Sequence, residues 1–278
     1  MPDLRFPALS PVTFCLILII ALAPGVKIAS AQSEDLDQHK LRIEAYWLHS
    51  TPTITMQGAN NNGTVNFNQD FNFNDYSTGI GRIDWKFTRK NHLTFAILPF
   101  IQDKTVVLDH TITFAGQTFN VGLRTNGKLQ FVTYAPGYQY DIFRRRRWHL
   151  GIAVQLNLAD TTGTLNASAQ VTGTGVHYSA VTARGSLLAP LPALGPEFRV
   201  YLTNSPRLFV EGRFNGMYFF GYGNFLSTFD DIGFSITKHI SINAGYGLGS
   251  RLRINNESNH IGVRLTQKGP FVGAQFSF

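Results

Sequence analysis

From residue 41 onward the chain alternates apolar and polar positions with a period of two. Leu41, Ile43, Ala45 and Trp47 share one parity, and Arg42, Glu44 and Tyr46 the other. Across 77–88, Ile83, Trp85 and Phe87 oppose Arg82, Asp84 and Lys86, and after the polar stretch Arg89 to His92 come Leu93, Phe95 and Ile97. Over 128–143, Tyr138, Tyr140 and Ile142 oppose Gln139 and Asp141. From Trp148 to Leu158 the even positions are apolar against His149, Gly151, Ala153, Gln155 and Asn157. Similar stretches follow at about 190–202, 207–220, 225–237, 239–251 and 259–278. A period of two is that of a strand, whose successive side chains point to opposite faces. The pattern predicts ten strands.

The connections suggest how these strands are arranged. Those at 89–92, 144–147, 203–206 and 237–239 are short, and those near 51–76, 104–127 and 160–185 are long. Alternating short and long connections between antiparallel strands, apolar on one face and polar on the other, are the pattern of a closed transmembrane β-barrel. Trp85, Phe87, Tyr138, Tyr140, Trp148 and Phe278 fall together at the short-turn end, as an interfacial girdle would. The fold class is therefore all-β, an antiparallel transmembrane β-barrel of ten strands, with eight or twelve as alternatives. The difficulty lies in the last strand, where Ile261, Val263 and Leu265 are odd but Val272, Ala274, Phe276 and Phe278 are even. A bulge at Gly269-Pro270 would reconcile the two phases, and a tight turn there would change the count.

Composition agrees with this reading. The mean hydropathy is −0.04 with 23 phenylalanines, as expected when half of each strand faces lipid. After the leader no stretch approaches 18 consecutive apolar residues, which argues against helical spans. The leader is Arg5, the apolar run Thr13 to Ala23, and the small-x-small site Ala29-Ser30-Ala31, which reads as a signal peptide over 1–31 followed by a barrel domain over 32–278. Cys15, the one cysteine, lies within that leader, so no disulfide is expected. Losing Arg5, Lys27 and Asp3 takes the formal charge from +7 to +6. In an exported chain this points to anionic lipid headgroups or lipopolysaccharide phosphates as partners rather than nucleic acid.

The chain's ending resembles the terminal strand of bacterial outer-membrane barrels, which the barrel assembly machinery recognises by a glycine and two aromatics. Gly273, Phe276 and Phe278 match that assembly signal, although Phe271 stands where a polar residue is usual. Gly81-Arg82-Ile83-Asp84-Trp85-Lys86, Leu98-Pro99-Phe100, Gly137-Tyr138-Gln139-Tyr140-Asp141, Gly245-Tyr246-Gly247 and Gly269-Pro270-Phe271-Val272-Gly273 extend the resemblance to a broad, porin-like group of small outer-membrane barrel proteins. The resemblance implies a fold and an outer-membrane location in a Gram-negative bacterium, with no catalytic residues to transfer.

The inward parity collects Arg42, Glu44, Arg82, Asp84, Lys86, Asp141, Glu197, Arg199, Glu211, Arg213 and Asp231. In so narrow a barrel such charges must pair to offset desolvation, giving either a structural salt-bridge network or a narrow polar conduit for ions and small solutes. Enzyme signals are sparse. His177-Tyr178-Ser179, with Glu197 as an orienting acid, is reminiscent of a lipid A deacylase, but Ala180 stands where an asparagine is expected. Asp109-His110 suits an acid/base pair but lacks the paired aspartates of omptin-type proteases. Phe67, Phe71 and Phe73 in an Asn-rich segment read as an outer loop packing on the rim or extending a strand, and Arg144 to Arg147 as a solvated turn at the headgroups. Neither a phosphate-binding glycine loop nor a metal-ligand spacing occurs, so no cofactor or metal is expected. The leading reading is a non-enzymatic barrel, structural or a narrow channel. The alternatives are a lipid-modifying hydrolase and a surface receptor or adhesin acting through its long outer loops, and the oligomeric state is open.

Overall fold

The computed structural model describes residues 36–58, 62–167, 181–203, 208–255 and 261–278; the expected leader over 1–31 and the His177-Tyr178-Ser179 motif lie outside them. Ten long antiparallel strands close on themselves: β1 (Leu41–Ser50), β4 (Tyr76–Lys86), β5 (Asn91–Val107), β8 (Arg124–Arg145), β9 (Trp148–Ala167), β10 (Val181–Tyr201), β11 (Leu208–Phe219), β12 (Gly223–Ser235), β13 (Ile240–Ile254) and β14 (Gly262–Ser277). Each pairs with its sequence neighbour among these ten, and β14 returns to β1 from Arg42↔Ser277 to Leu48↔Phe271. The sheet is an all-β, ten-stranded antiparallel barrel with both ends of the wall at the short-turn end, which in barrels of this kind faces the periplasm. Trp85, Phe87, Tyr138, Tyr140 and Trp148 stand exposed around that end.

Alternation holds along each wall strand, broken by bulges that shift its phase. One bulge follows Asp141 in β8 and another sits at Gly249 in β13. The proposed bulge at Gly269-Pro270 is absent. β14 keeps its odd residues inward from Val263 through Phe271 to Ser277, and the bulge that adjusts its register belongs to β13. The odd apolar residues Val263 and Leu265 misled the pattern because they face an interior that is itself apolar at that height.

That apolar interior comes from the first outer connection. After β1 the chain forms β2 (Thr53–Gln57), which pairs on β14, β3 (Thr64–Asn66) and a single helical turn α1 (Phe67–Phe71). Asn66 caps α1 by accepting from the backbone of Asn68, and Asn68 in turn accepts from Ile54 N at 2.7 Å while donating to Phe73 O at 2.6 Å. These bonds turn Phe67, Phe71 and Phe73 inward, where all three are fully buried with ring centroids 5.3–6.3 Å apart. The segment is an internal plug, where rim packing or a strand extension was expected. The hairpin β6 (Ile112–Phe114) and β7 (Gln117–Phe119) of the next outer connection adds Ile112, Phe114 and Phe119 to the same cluster. Gly127 leaves the space, since a Cβ there would lie 2.5 Å from the Phe71 ring.

Strands β5, β8, β9 and β10 run for 17, 22, 20 and 21 residues, about twice the 9–11 that cross a bilayer. The expected outer loops at 104–127 and 160–185 are therefore partly wall, which continues beyond the apolar band on the outer side.

Candidate functional site: the charged lumen

Below the aromatic plug the inward positions change character. In β1, β4, β10, β11 and β12 they carry Arg42, Glu44, Arg82, Asp84, Lys86, Glu197, Arg199, Glu211, Arg213 and Asp231, and in β8 Gln139 and Asp141. The structure places all eleven charged residues singled out in the sequence on the lumen side, within one connected cluster. Cross-strand register brings opposite charges face to face at Arg42↔Asp84, Glu44↔Arg82, Glu197↔Arg213 and Arg199↔Glu211, and sets two carboxylates opposite each other at Glu211↔Asp231, where Arg213 lies 3.5 Å from both.

Glu44, with no exposed surface, is the hub. It accepts from Tyr46 OH at 2.6 Å and from Arg213 Nη1 at 2.9 Å, and lies 3.4 Å from Arg82 Nη1 and 3.7 Å from Arg42 Nη1. Arg82 turns its other nitrogen to both Glu197 oxygens at 2.9 and 3.0 Å. This occupies Glu197, which the hydrolase reading needed as an orienting acid. Arg199 donates through Nε to Glu211 at 2.7 Å and through Nη2 to Gln275 at 2.7 Å, and its guanidinium stacks 4.3 Å above the Phe209 ring. His92 is placed between two carboxylates, Nδ1 2.9 Å from Asp84 and Nε2 3.2 Å from Asp141. Only the doubly protonated ring donates to both.

Two participants had no signal in the alternating pattern. Asp37 precedes β1, yet its carboxylate reaches up through the periplasmic mouth to Lys86 at 2.8 Å, Arg42 at 2.9 Å, Arg144 at 3.2 Å and His149 at 3.6 Å. Burial pushes its pKa up, but Lys86, Arg42 and His149 outweigh this and hold it well below the usual carboxylate range. Backbone bonds from Leu36 N to Arg146 O at 2.9 Å and from Lys40 N to Phe278 O at 2.6 Å keep this segment strapped across the mouth. Arg144, read as part of a solvated turn, is carried inside by the β8 bulge and bonds Asp141 at 2.6 Å; Arg145, Arg146 and Arg147 stay exposed. Among the described residues six cations (Arg42, Arg82, Lys86, Arg144, Arg199, Arg213) then meet seven carboxylates (Asp37, Glu44, Asp84, Asp141, Glu197, Glu211, Asp231), and a protonated His92 makes the balance even.

Between network and plug lies a cavity of about 60 Å³ lined by Arg82, Thr94, Thr133, Asn157, Glu197, Arg213 and Phe225 among others. Small-molecule sites occupy about 300–1,000 Å³. At the opposite, outer end, His110 meets Asp109 through Nδ1 and Asp70 Oδ1 through Nε2 at 3.3 Å. The Asp109 hydrogen bond, with Asp70 adding to it, raises the His110 pKa above its ordinary value. Asp70, raised by burial, also accepts from Asn66 N at 2.8 Å. Asp109 and His110 are exposed, and no nucleophile stands beside them among the described contacts. Of the assembly-signal residues, Gly273 accommodates the Tyr46 ring, 2.4 Å from where its Cβ would be, Phe276 pairs with Ile43 and Ile240, and the Phe278 carbonyl receives Lys40 N.

No protein-family model and no curated protein matches the chain. Among solved structures it is similar to the outer membrane protease OmpT from Escherichia coli, at 11% identity and a TM-score of 0.53, over 86% of this chain and 96% of that one. It also aligns with the attachment invasion locus protein Ail of Yersinia pestis at 7% identity and a TM-score of 0.34, over 86% of this chain and 99% of that one. The toluene transporter TodX of Pseudomonas putida aligns at 8% identity and a TM-score of 0.33, over 87% and 93%. At 11% identity the likeness to OmpT carries architecture alone. The chain has the fold of a bacterial outer-membrane β-barrel.

Proposed function

We propose that this barrel is a closed, non-conducting scaffold of the outer membrane whose working surface is the wall and loops projecting outward. The observation that carries the reading is double closure of the lumen. Among the described residues a balanced, buried ion-pair network closes the periplasmic half, an aromatic plug fills the outer half, and the cavity between them holds about 60 Å³. Of the two expectations for the inward charges, the structural network is favoured over the conduit. An ion entering would have to break pairs such as Glu44–Arg213 and Arg82–Glu197, and separating one partner of a buried pair costs about 3–5 kcal/mol.

The same geometry favours a binding role over catalysis at the outer face. The connection after β5 holds Asp109 and His110 at an open surface, with the largely covered Asp70 of α1 behind His110, and the proposed orienting acid Glu197 is engaged deep in the lumen by Arg82.

The test is conductance of the refolded chain in a planar bilayer, with folding established by heat-sensitive gel mobility. The expected result is silence from folded protein. Reproducible single-channel steps would overturn the proposal.

A further inference from the structure

The outward face of the barrel follows the apolar rule closely around β12–β14. On β13 the outward positions are Ile240, Ile242, Ala244, Tyr246 and Leu248 before the first charge at Arg251, and on β14 Val272 and Pro270 precede Lys268. On β12 Phe234 and Ile232 continue the band, but the next outward residue is the exposed Asp230. It lies six residues from Ile236 at the periplasmic turn, roughly 15 Å along the membrane normal for a tilted strand, near the middle of a band about 25 Å tall. A carboxyl group facing hydrocarbon is costly, and where one is kept it generally serves a function.

Nothing among the described residues answers it. Among the described residues Asp230 has no hydrogen bond or ion pair. The nearby cation, Arg213, is on the lumen side of the wall and is committed to Glu44 at 2.9 Å and Asp231 at 3.5 Å. Yet the group is seated. Its cross-strand neighbour is Gly212, where a Cβ would come within 3.0 Å of Asp230 Oδ1, so the carboxyl folds into the space that glycine leaves beside Phe198. Its other neighbour is Tyr246, outward, 55% exposed and with its hydroxyl unpartnered among the described residues. An acceptor and a donor therefore stand side by side, each facing hydrocarbon. Next to them an outward groove of about 1220 Å³ runs past Ile232, Ile242, Ala244 and Val272 to Trp47.

Lipid cannot satisfy this pair, because acyl chains carry no polar groups and the headgroups lie half a membrane away. A patch bearing both an acceptor and a donor is complementary to itself across a two-fold axis, the commonest symmetry of oligomers. We infer that two copies of this chain pair in the membrane through the β12–β13 face, each Tyr246 hydroxyl donating to the other's Asp230, with the exposed Ile232 and Ile242 side chains packing into the adjoining groove.

The experiment is disulfide cross-linking in outer membranes, using the full chain carrying Cys15→Ser and one introduced cysteine. The Ile232→Cys variant is expected to form a homodimer under mild oxidation, and the Leu156→Cys variant, outward on the far wall at 40% exposure, to stay monomeric. Adding Tyr246→Phe or Asp230→Leu to the Ile232→Cys variant should cut the cross-linked fraction at least fivefold, with heat-sensitive mobility confirming that each variant is folded. Equal cross-linking at both positions, insensitivity to Tyr246→Phe, or capture of a different protein would each overturn the inference.

Discussion

Glu44→Ala is the perturbation that most directly probes the closed lumen. The carboxylate has no exposed surface and serves Tyr46 OH at 2.6 Å, Arg213 at 2.9 Å and Arg82 at 3.4 Å. Its removal strips one negative charge from a balanced set and leaves two guanidinium groups short of a partner. Taking away one member of a buried pair costs about 3–5 kcal/mol, which is roughly two to four decades in the folding equilibrium. Arg82 keeps Glu197 and Arg213 keeps Asp231 at 3.5 Å, so the lower half of that range is expected. Glu44→Gln, which retains the shape and an acceptor for Tyr46, should lose less. The assay is reversible urea unfolding of the refolded barrel, followed by tryptophan fluorescence and heat-sensitive mobility. A loss under about 1 kcal/mol for Glu44→Ala would refute the reasoning, because it would mean that water reaches the arginines and the lumen is wet.

Three further outcomes follow from the plug, the strap and the outer rim. Phe71→Ala removes a fully buried ring packed on Phe67 and Phe73 and should cost about 3–5 kcal/mol by the same assay, while conductance stays silent because the network is intact. Asp37 has a depressed pKa, so its contribution is fully present above the ordinary aspartate range and is lost as pH falls through the lower folded value. Proteolysis of the N-terminal strap should therefore change little between pH 8 and pH 5 and rise below about pH 4, and Asp37→Asn should expose the strap at every pH. His110 has the opposite sign: its raised pKa means its bonds to Asp109 and Asp70 are complete below the ordinary histidine range and fade as pH rises through the higher folded value. NMR titration should find it above about 6.5, and Asp109→Asn should bring it down.

Alternation made the barrel legible because a lipid-facing wall must be apolar on every second residue, and the ten-strand count, the inward charges and the periplasmic girdle follow from that alone. His92 was missed: the polar run from Arg89 reads as a turn through His92, whereas β5 starts at Asn91 and carries His92 inward opposite Leu93 and Phe95. The rule fails where its premise fails. It equates apolar with outward, and in the outer half of this barrel the inside is apolar as well. Val263 and Leu265 therefore read as lipid-facing, and a bulge was placed at Gly269-Pro270 to explain them. Phe67, Phe71 and Phe73 all stand at odd positions between polar even ones and so read as rim packing or a strand extension, but the segment turns as α1 and enters the lumen from a loop, oriented by Asn68 contacts with Ile54 and Phe73 that sequence spacing does not reveal. Asp37 gave no signal at all, since its role depends on where the chain crosses the mouth.

The two closures differ in kind, and the difference bears on what the barrel can do. The plug's rings are packed by dispersion and burial and are oriented by a few bonds of Asn66 and Asn68 and by β2 on β14, and its segments belong to outer connections that reach the rim, where Asp70, at the end of the plug's helical turn, meets His110. The network is directional and is woven from wall strands by cross-strand register, so it cannot rearrange without the wall itself moving. On the proposed reading, a partner bound outside would act on the plug through the connections that carry it, while the periplasmic half holds its shape. Such a division suits a barrel that presents a surface better than one that passes a solute, because conduction requires both halves to yield and the network half cannot yield without moving the wall.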